Sequence, residues 1–277
     1  MNHISVIVTA YNRKDYLSQA LTSLLDQTYK NFDVVLATNF KYDISKFSSL
    51  HISCIVLDGN IGKFLIEASK IATGEIIVFL DDDDYFAENK IETIKDFFDN
   101  PSTVYVHNKS RYFNDDTLLN RVGEKIDFNM SSITIRKNLI CNHSKLLREL
   151  SAAPDSFLYG LALESGGKLI NYKKILTYYR QHNNNTSDFN NIKWLLKYKD
   201  NLLNFMNYFK SKKALKHYNM LLIIIDFTLF VNLGKKYRPK FADWLLFIYY
   251  AIILKEARLL IKSFKMLFFE KPNIVNK

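Results

Sequence analysis

Ile76-Ile77-Val78-Phe79-Leu80-Asp81-Asp82-Asp83-Asp84 is the stretch from which the rest of the chain is read. An apolar run rich in β-branched side chains predicts a strand buried on both faces. Four carboxylates then follow without a spacer. Leaving them all ionised at the end of a buried strand is unfavourable unless something positive sits there. Hard oxygen ligands in that place suit Mg²⁺ or Mn²⁺ shared with substrate phosphates, and in open α/β sheets the carboxyl ends of the strands are where ligands bind. The competing reading is a solvated acidic turn whose Asp residues cap a helix over 88–98.

Working outward, Ile4 to Thr9 predicts a first strand that ends in Ala10-Tyr11-Asn12-Arg13. Tyr16, Leu17, Ala20, Leu21, Leu24 and Leu25 follow at helical spacing. Phe32 to Ala37 and Ile52 to Leu57 predict two more strands, the latter placing Cys54 in the core. A helix is expected over Lys63 to Ala72, stopped by Thr73-Gly74. The β-α-β alternation argues for a mostly parallel sheet with right-handed crossovers. Its strand-end loops would gather Tyr11, Asn12, Thr38, Asn39, Asn60 and Asp81 to Asp84 on one edge. Beyond the aspartates the pattern predicts a strand over Thr103 to His107, a polar loop or hairpin over Arg111 to Asp127, and a strand over Ser131 to Ile135. A helix over Ser156 to Glu164 and two strands, Lys168 to Tyr172 and Ile175 to Tyr179, complete this part. Neither GxGxxG nor GxxxxGK[ST] occurs, which disfavours the dinucleotide fold and the P-loop.

Taken together, three stretches resemble the family 2 glycosyltransferases of GT-A fold. They are Val6-Ile7-Val8-Thr9-Ala10-Tyr11-Asn12-Arg13, the run from Asn60-x-Gly62 through Ala72-Thr73-Gly74-Glu75 to the aspartates, and Tyr179-Arg180-x-His182 with Asn185 and Ser187. The resemblance covers roughly residues 4–188 in the family's order. It implies a GT-A catalytic domain over 1–188, Rossmann-like with helices flanking the sheet. Residues 189–277 would form a C-terminal α-helical extension.

The implied reaction is transfer of a sugar from a nucleotide-diphosphate donor to a hydroxyl acceptor, with inversion, in surface polysaccharide, glycolipid or lipid-linked glycan synthesis. A divalent ion, Mn²⁺ or Mg²⁺, is the implied cofactor, with Asp83, Asp81 and His182 as its ligands. Thr9, Tyr11, Asn12, Thr38, Asn39, Lys63, Asp81, Asp82 and Arg180 are the implied nucleotide-sugar contacts. Asp84 is expected to support or cap. Asp155 is the implied catalytic base, although an Asp there also serves as an ordinary helix N-cap. The chain departs from the family pattern at three points. Ala37-Thr38-Asn39 lacks the usual Asp, the segment between Asn60 and Gly74 is short and lacks an Arg-Asn pair, and Pro154 stands where Glu is common. These departures keep open a non-catalytic sugar-nucleotide-binding or membrane scaffold on the same fold. A nucleotidyltransferase ranks below both, for want of a Gly-rich loop.

The 277 residues are 48% hydrophobic, enough for a sizeable core. Cys54 and Cys141 make no disulfide framework or CxxC site. With no signal-like start, the chain is expected in the cytoplasm. Charge is placed unevenly: 17 Lys and Arg stand against five acids from Asn190 to Lys277, which puts +12 of the total +10 there and −2 on the rest. Such a segment suits an anionic partner, and no nucleic-acid motif accompanies it. Met220 to Leu233 and Trp244 to Leu254 are apolar runs too short for a clean membrane span. Two readings remain open: helices lying peripherally on the inner face of the cell membrane, or a packed helical subdomain with solvated lysines.

Overall fold

The computed structural model describes residues 3–114, 117–122, 129–182, 191–237, 239–253 and 263. Asn185, Ser187, Lys255 and the expected boundary near residue 188 lie outside the described residues. The chain divides into two units, Met1–Asn185 and Thr186–Lys277.

The first unit opens with β1 (Ile4–Ala10), α1 (Leu17–Leu25), β2 (Phe32–Thr38), β3 (Ile52–Val56), α2 (Ile61–Ile71) and β4 (Ile76–Asp81). There follow β5 (Tyr85–Phe86), α3 (Lys90–Lys95), β6 (Thr103–Asn114), β7 (Thr117–Val122), β8 (Ile133–Arg136), α4 (Asn138–Cys141), α5 (Ser144–Leu147), α6 (Pro154–Glu164) and β9 (Lys168–Arg180). The strands form one sheet in the order β3-β2-β1-β4-β8-β6-β9-β5, with β7 paired to β6. The first four run parallel, β8 is antiparallel to β4, and β9 is parallel to β6. This is the GT-A architecture.

Both faces of β1, β2 and β4 are covered, which is why these strands read as unbroken apolar runs. Val6, Val8, Val34, Leu36, Val78 and Leu80 pack with Leu17, Leu21 and Leu24 of α1 and Ile91 and Ile94 of α3. The alternate residues Ile7, Val35, Ile77 and Phe79 are equally buried, and α2 packs on β1 and β2. Register then fixes the working edge. Thr9 lies beside Asp81, and Ala10 beside Thr38, so three strands end level.

Two motif residues owe their identity to close approach. A Cβ on Gly62 would meet the Leu147 carbonyl oxygen at 1.7 Å, and one on Gly74 the Ser5 nitrogen at 2.6 Å. Asn60 caps α2 by accepting from Lys63 N–H at 2.9 Å and donates to the Arg148 carbonyl at 2.8 Å. The Asn-x-Gly pattern therefore seats α2 against the α5 segment.

Several expectations are corrected. Cys54 is exposed, because β3 is the edge strand and has little over either face. No aspartate caps the helix after the acidic run. β5 intervenes, and Asn89 precedes α3 without a side-chain cap. The two expected strands at 168–179 are one strand, β9, whose pairing with β6 shifts register along its length. Of the two alternatives expected after Arg111, the hairpin is found, as the antiparallel β6–β7 pair.

The second unit holds α7 (Ile192–Met206), α8 (Lys212–Leu233) and α9 (Phe241–Ile253). Asn191 and Ser211 cap α7 and α8 through their side chains. α8 packs against α7 and α9, Lys199 pairs with Asp226, and Phe227 stacks on Phe247 with ring centroids 3.8 Å apart. Here too the sequence reading is amended. Residues Lys212 onward extend the apolar run into a 22-residue helix that is, by length and composition, long and apolar enough to cross a membrane. Half of its most apolar window is buried within the protein, as in a core helix.

Candidate active site

The aspartate run leaves β4 at the level edge and turns back into β5. Asp82, Asp83 and Asp84 are buried and Asp81 is half-buried. Burial, reinforced by Asp83 and Asp82, pushes the Asp81 carboxyl up to about 8. Burial raises Asp82 and Asp84 as well, with Asp83 adding to both.

The positive partner that this run demands comes from the opening strand's loop. Arg13 Nη2 donates to Asp82 Oδ1 and to Asp83 Oδ2, both at 2.6 Å, while its Nε donates to Asp82 Oδ2 at 3.0 Å. Burial works against the guanidinium's charge, but Asp82 and Asp83 outweigh it and hold the pKa above the ordinary arginine range. His182 Nε2 lies 3.0 Å from Arg13 Nη1 and 2.9 Å from Asp83 Oδ2. One ring nitrogen serves only one of these at a time: unprotonated it accepts from Arg13, protonated it donates to Asp83.

Behind the run sit two more basic side chains. Arg180 N–H donates to Asp84 Oδ1 at 2.9 Å, and its Nε donates to the Asp83 carbonyl at 3.0 Å. Its guanidinium also reaches Gln19 and lies between the rings of Tyr16 and Phe113, 4.2 and 4.4 Å from their centroids. Expected to face a diphosphate, Arg180 is instead turned inward and buried. Lys90 is fully buried, donates to the Ser131 carbonyl and to Thr177 Oγ1, and has its pKa driven well down by burial, with Asp84 opposing.

The remaining expected residues line the rim. Thr9 donates to Asp81 at 3.2 Å. Asn12 and Asn39 bond each other reciprocally at 2.8 and 2.6 Å, tying the β1 and β2 loops together. Thr38 donates to the Phe40 carbonyl. Tyr11 is 51% exposed and donates to Asp58 at 3.2 Å. Lys63 donates to the Asp58 carbonyl at 2.6 Å. Asp155 is the second residue of α6, after Ala153 in the left-handed region (φ 48°) and Pro154. It is therefore not the N-cap, and its charge is among those raising the Asp81 carboxyl. Asn12 (φ 57°), itself a candidate site residue, and Ala153, two residues before Asp155, are the non-glycine residues with positive φ among the described residues. Such strain collects at functional sites.

A divalent ion fits this donor set in part. Among the described residues no three side chains of metal-binding type converge, so the expected trio of Asp81, Asp83 and His182 is not assembled. Asp83 and His182 do meet at one point, and a hard ion on one or two protein ligands completes its shell with substrate phosphates and water. Arg13, Asp58, Lys90, Tyr16 and Gln19 were not marked by sequence reading. For Arg13 there was a signal, a basic residue in the loop that follows β1, the strand beside the one that ends in the aspartates.

Comparison with known proteins follows the same stretch. The profile "Glycosyl transferase family 2" matches residues 5–160. An Escherichia coli protein named UDP-Glc:alpha-D-GlcNAc-diphosphoundecaprenol beta-1,3-glucosyltransferase WfaP is 28% identical over 200 residues, 66% of this chain and 78% of that protein. Among solved structures, residues 1–349 of S. aureus TarS with UDP-GlcNAc superpose with a TM-score of 0.60 at 17% identity, covering 93% of this chain and 82% of that one. Against the longer TarS structure the chain covers half the length. A mannosyltransferase from Pyrobaculum calidifontis, solved with GDP-Man and Mn²⁺, gives 0.57 at 15% identity, covering 98% of this chain and 88% of that one.

Proposed function

This chain belongs to glycosyl transferase family 2, and from that premise we propose that it is an inverting, metal-assisted transferase moving a sugar from a nucleotide-diphosphate donor to a hydroxyl of a lipid-linked or surface glycan. The observation that carries the reading is the meeting on one sheet edge of Thr9 with Asp81 and of Asp83 with His182, with Asp155 of α6 among the charges that raise the Asp81 carboxyl. A uridine donor is favoured, since WfaP is named for UDP-Glc and TarS was solved with UDP-GlcNAc.

The acceptor oxygen attacks the anomeric carbon while the carbon–oxygen bond to the diphosphate breaks. The diphosphate leaves with the electron pair, and the acceptor proton passes to Asp155 as general base. Asp83 and His182 would hold the divalent ion, which supplies Lewis-acid stabilisation of the departing diphosphate. Tyr11 offers an aromatic face beside Asp58 for the base, and Thr9 fixes Asp81. Asn12 and Asn39 lock the rim, so the loops need no reorganisation on binding.

Acceptor chemistry bears on location. The basic excess after residue 189 and the exposed apolar side of α9 support peripheral attachment to an anionic membrane surface.

The test is thermal stability with UDP, GDP, CDP or dTDP, each with and without Mn²⁺. A ligand that binds only the native state raises the melting point by mass action. A Mn²⁺-dependent rise with UDP is expected. No rise with any nucleotide rejects the donor site.

A further inference from the structure

Arg13 occupies the place where positive charge is most needed. Its Nη2 bridges Asp82 and Asp83, its Nε closes a second bond to Asp82, and its Nη1 abuts His182. Arg13 thus touches both residues that would hold a divalent ion, Asp83 and His182, as well as Asp82. The two basic side chains behind the run are held differently. Arg180 and Lys90 are fastened to backbone carbonyls and packed among rings. The Arg13 side chain is 19% exposed, and it bonds the carboxylates of Asp82 and Asp83 and abuts the ring of His182.

We propose that Arg13 is a displaceable positioning cation: it neutralises Asp82 and Asp83 while the donor site is empty, and it competes with a divalent ion for Asp83. The physical basis is occupancy. Asp83 Oδ2 already takes one Arg13 proton at 2.6 Å, and a second cation at that oxygen meets both a filled lone pair and like charge. Because the guanidinium fork also grips Asp82 bidentately, Arg13 can release Asp83 and remain charge-paired. The competition sets a threshold. A bare ion in solution is held poorly, whereas an ion arriving with diphosphate brings an anion that the released guanidinium can meet. The site thereby favours the metal–nucleotide complex over the metal alone.

This rests on the donor-site reading, and its test is independent of turnover. Mn²⁺ alone is titrated into the intact wild-type chain and Arg13→Gln, and free aquo-Mn²⁺ is counted by electron paramagnetic resonance. Arg13→Gln is expected to bind Mn²⁺ about tenfold more tightly or better; equal or weaker binding overturns the proposal. A second measurement needs no variant. In the wild type, Mn²⁺ should raise the rate of phenylglyoxal modification at Arg13 severalfold, read by peptide mass mapping. An unchanged or lowered rate also overturns it. If Mn²⁺ behaves as expected in both assays and no nucleotide raises the melting point, the donor reading fails and this inference stands. If nucleotides bind and Arg13→Gln leaves Mn²⁺ affinity unchanged, the reverse holds.

Discussion

In the unit Met1–Asn185 the side chains of Asp82, Asp83, Asp84, Lys90 and Arg180 are buried, whereas in Thr186–Lys277 the outer side of α9 exposes Phe241, Leu245, Tyr249 and Ile252. Each arrangement runs against the ordinary sorting of polar out and apolar in. Burying an ion costs several kcal/mol unless partners compensate. In the first unit they do so only partly, since Asp81 and Asp84 are still pushed up. That shortfall of positive charge is what the proposed divalent ion would answer. α9 has the complementary imbalance. Trp244, Phe247 and Ala251 pack inward, and the residues four, four and three apart that face outward are apolar as well. A helix apolar all round is ordinarily covered on both sides, which is consistent with the proposed membrane surface. One unit is short of positive charge, the other of apolar cover.

The comparison can be sharpened by substitution. Asp83→Asn is the harshest test of the first unit: transfer should fall on the order of 10³-fold, with nucleotide-free folding intact by circular dichroism. Retained transfer would remove Asp83 from the chemistry. Arg180→Ala should act on stability, costing about 3 kcal/mol by denaturant titration, because it strips the Asp83 carbonyl and Gln19 of a buried donor and empties the space between Tyr16 and Phe113. If stability were untouched while nucleotide binding fell, Arg180 would belong to the donor site after all.

Acid and base should move the two units in opposite directions. His217 is buried and pushed down to about 4 from 6.5. Unfolded chain therefore takes up a proton that the native helix refuses, so that contribution, about 3 kcal/mol, is present above pH 6.5 and lost as pH falls through 4. Asp81, raised to about 8 from 3.8, has the other sign. Its contribution is present below pH 4 and lost as pH rises through 8. Hydrogen exchange followed unit by unit between pH 4 and 8 should show these slopes diverging; parallel slopes would refute the contrast. The smallest effect is expected on α9. Replacing Leu245, Tyr249 and Ile252 by Ser should alter stability by no more than about 0.5 kcal/mol each, yet abolish co-flotation with phosphatidylglycerol vesicles at low salt. A wild type that fails to float ends the membrane proposal.

Much of this architecture was legible. Alternation of apolar runs with helical spacing located β1 to β4, α1 and α2 within a few residues, because burial on both faces forces a continuous apolar run in β1, β2 and β4. The edge position of β3 was not legible. Cys54 reads as core in an apolar run, and only the order of strands shows that nothing covers it. In the same way Asp155 after Pro154 reads equally as cap or base, and only the helix start at Pro154 removes the cap.

What the sequence alone determined is the composition of the aspartate edge: four carboxylates after a buried strand, and a need for positive charge there. Which cations meet that need was decided by tertiary structure. Arg13 is 69 residues from Asp82, and His182 is 99 from Asp83. Local periodicity fixes where a strand ends. Parallel register and the return of β9 fix which distant ends become neighbours, and Coulomb attraction acts only across the distances that folding has closed.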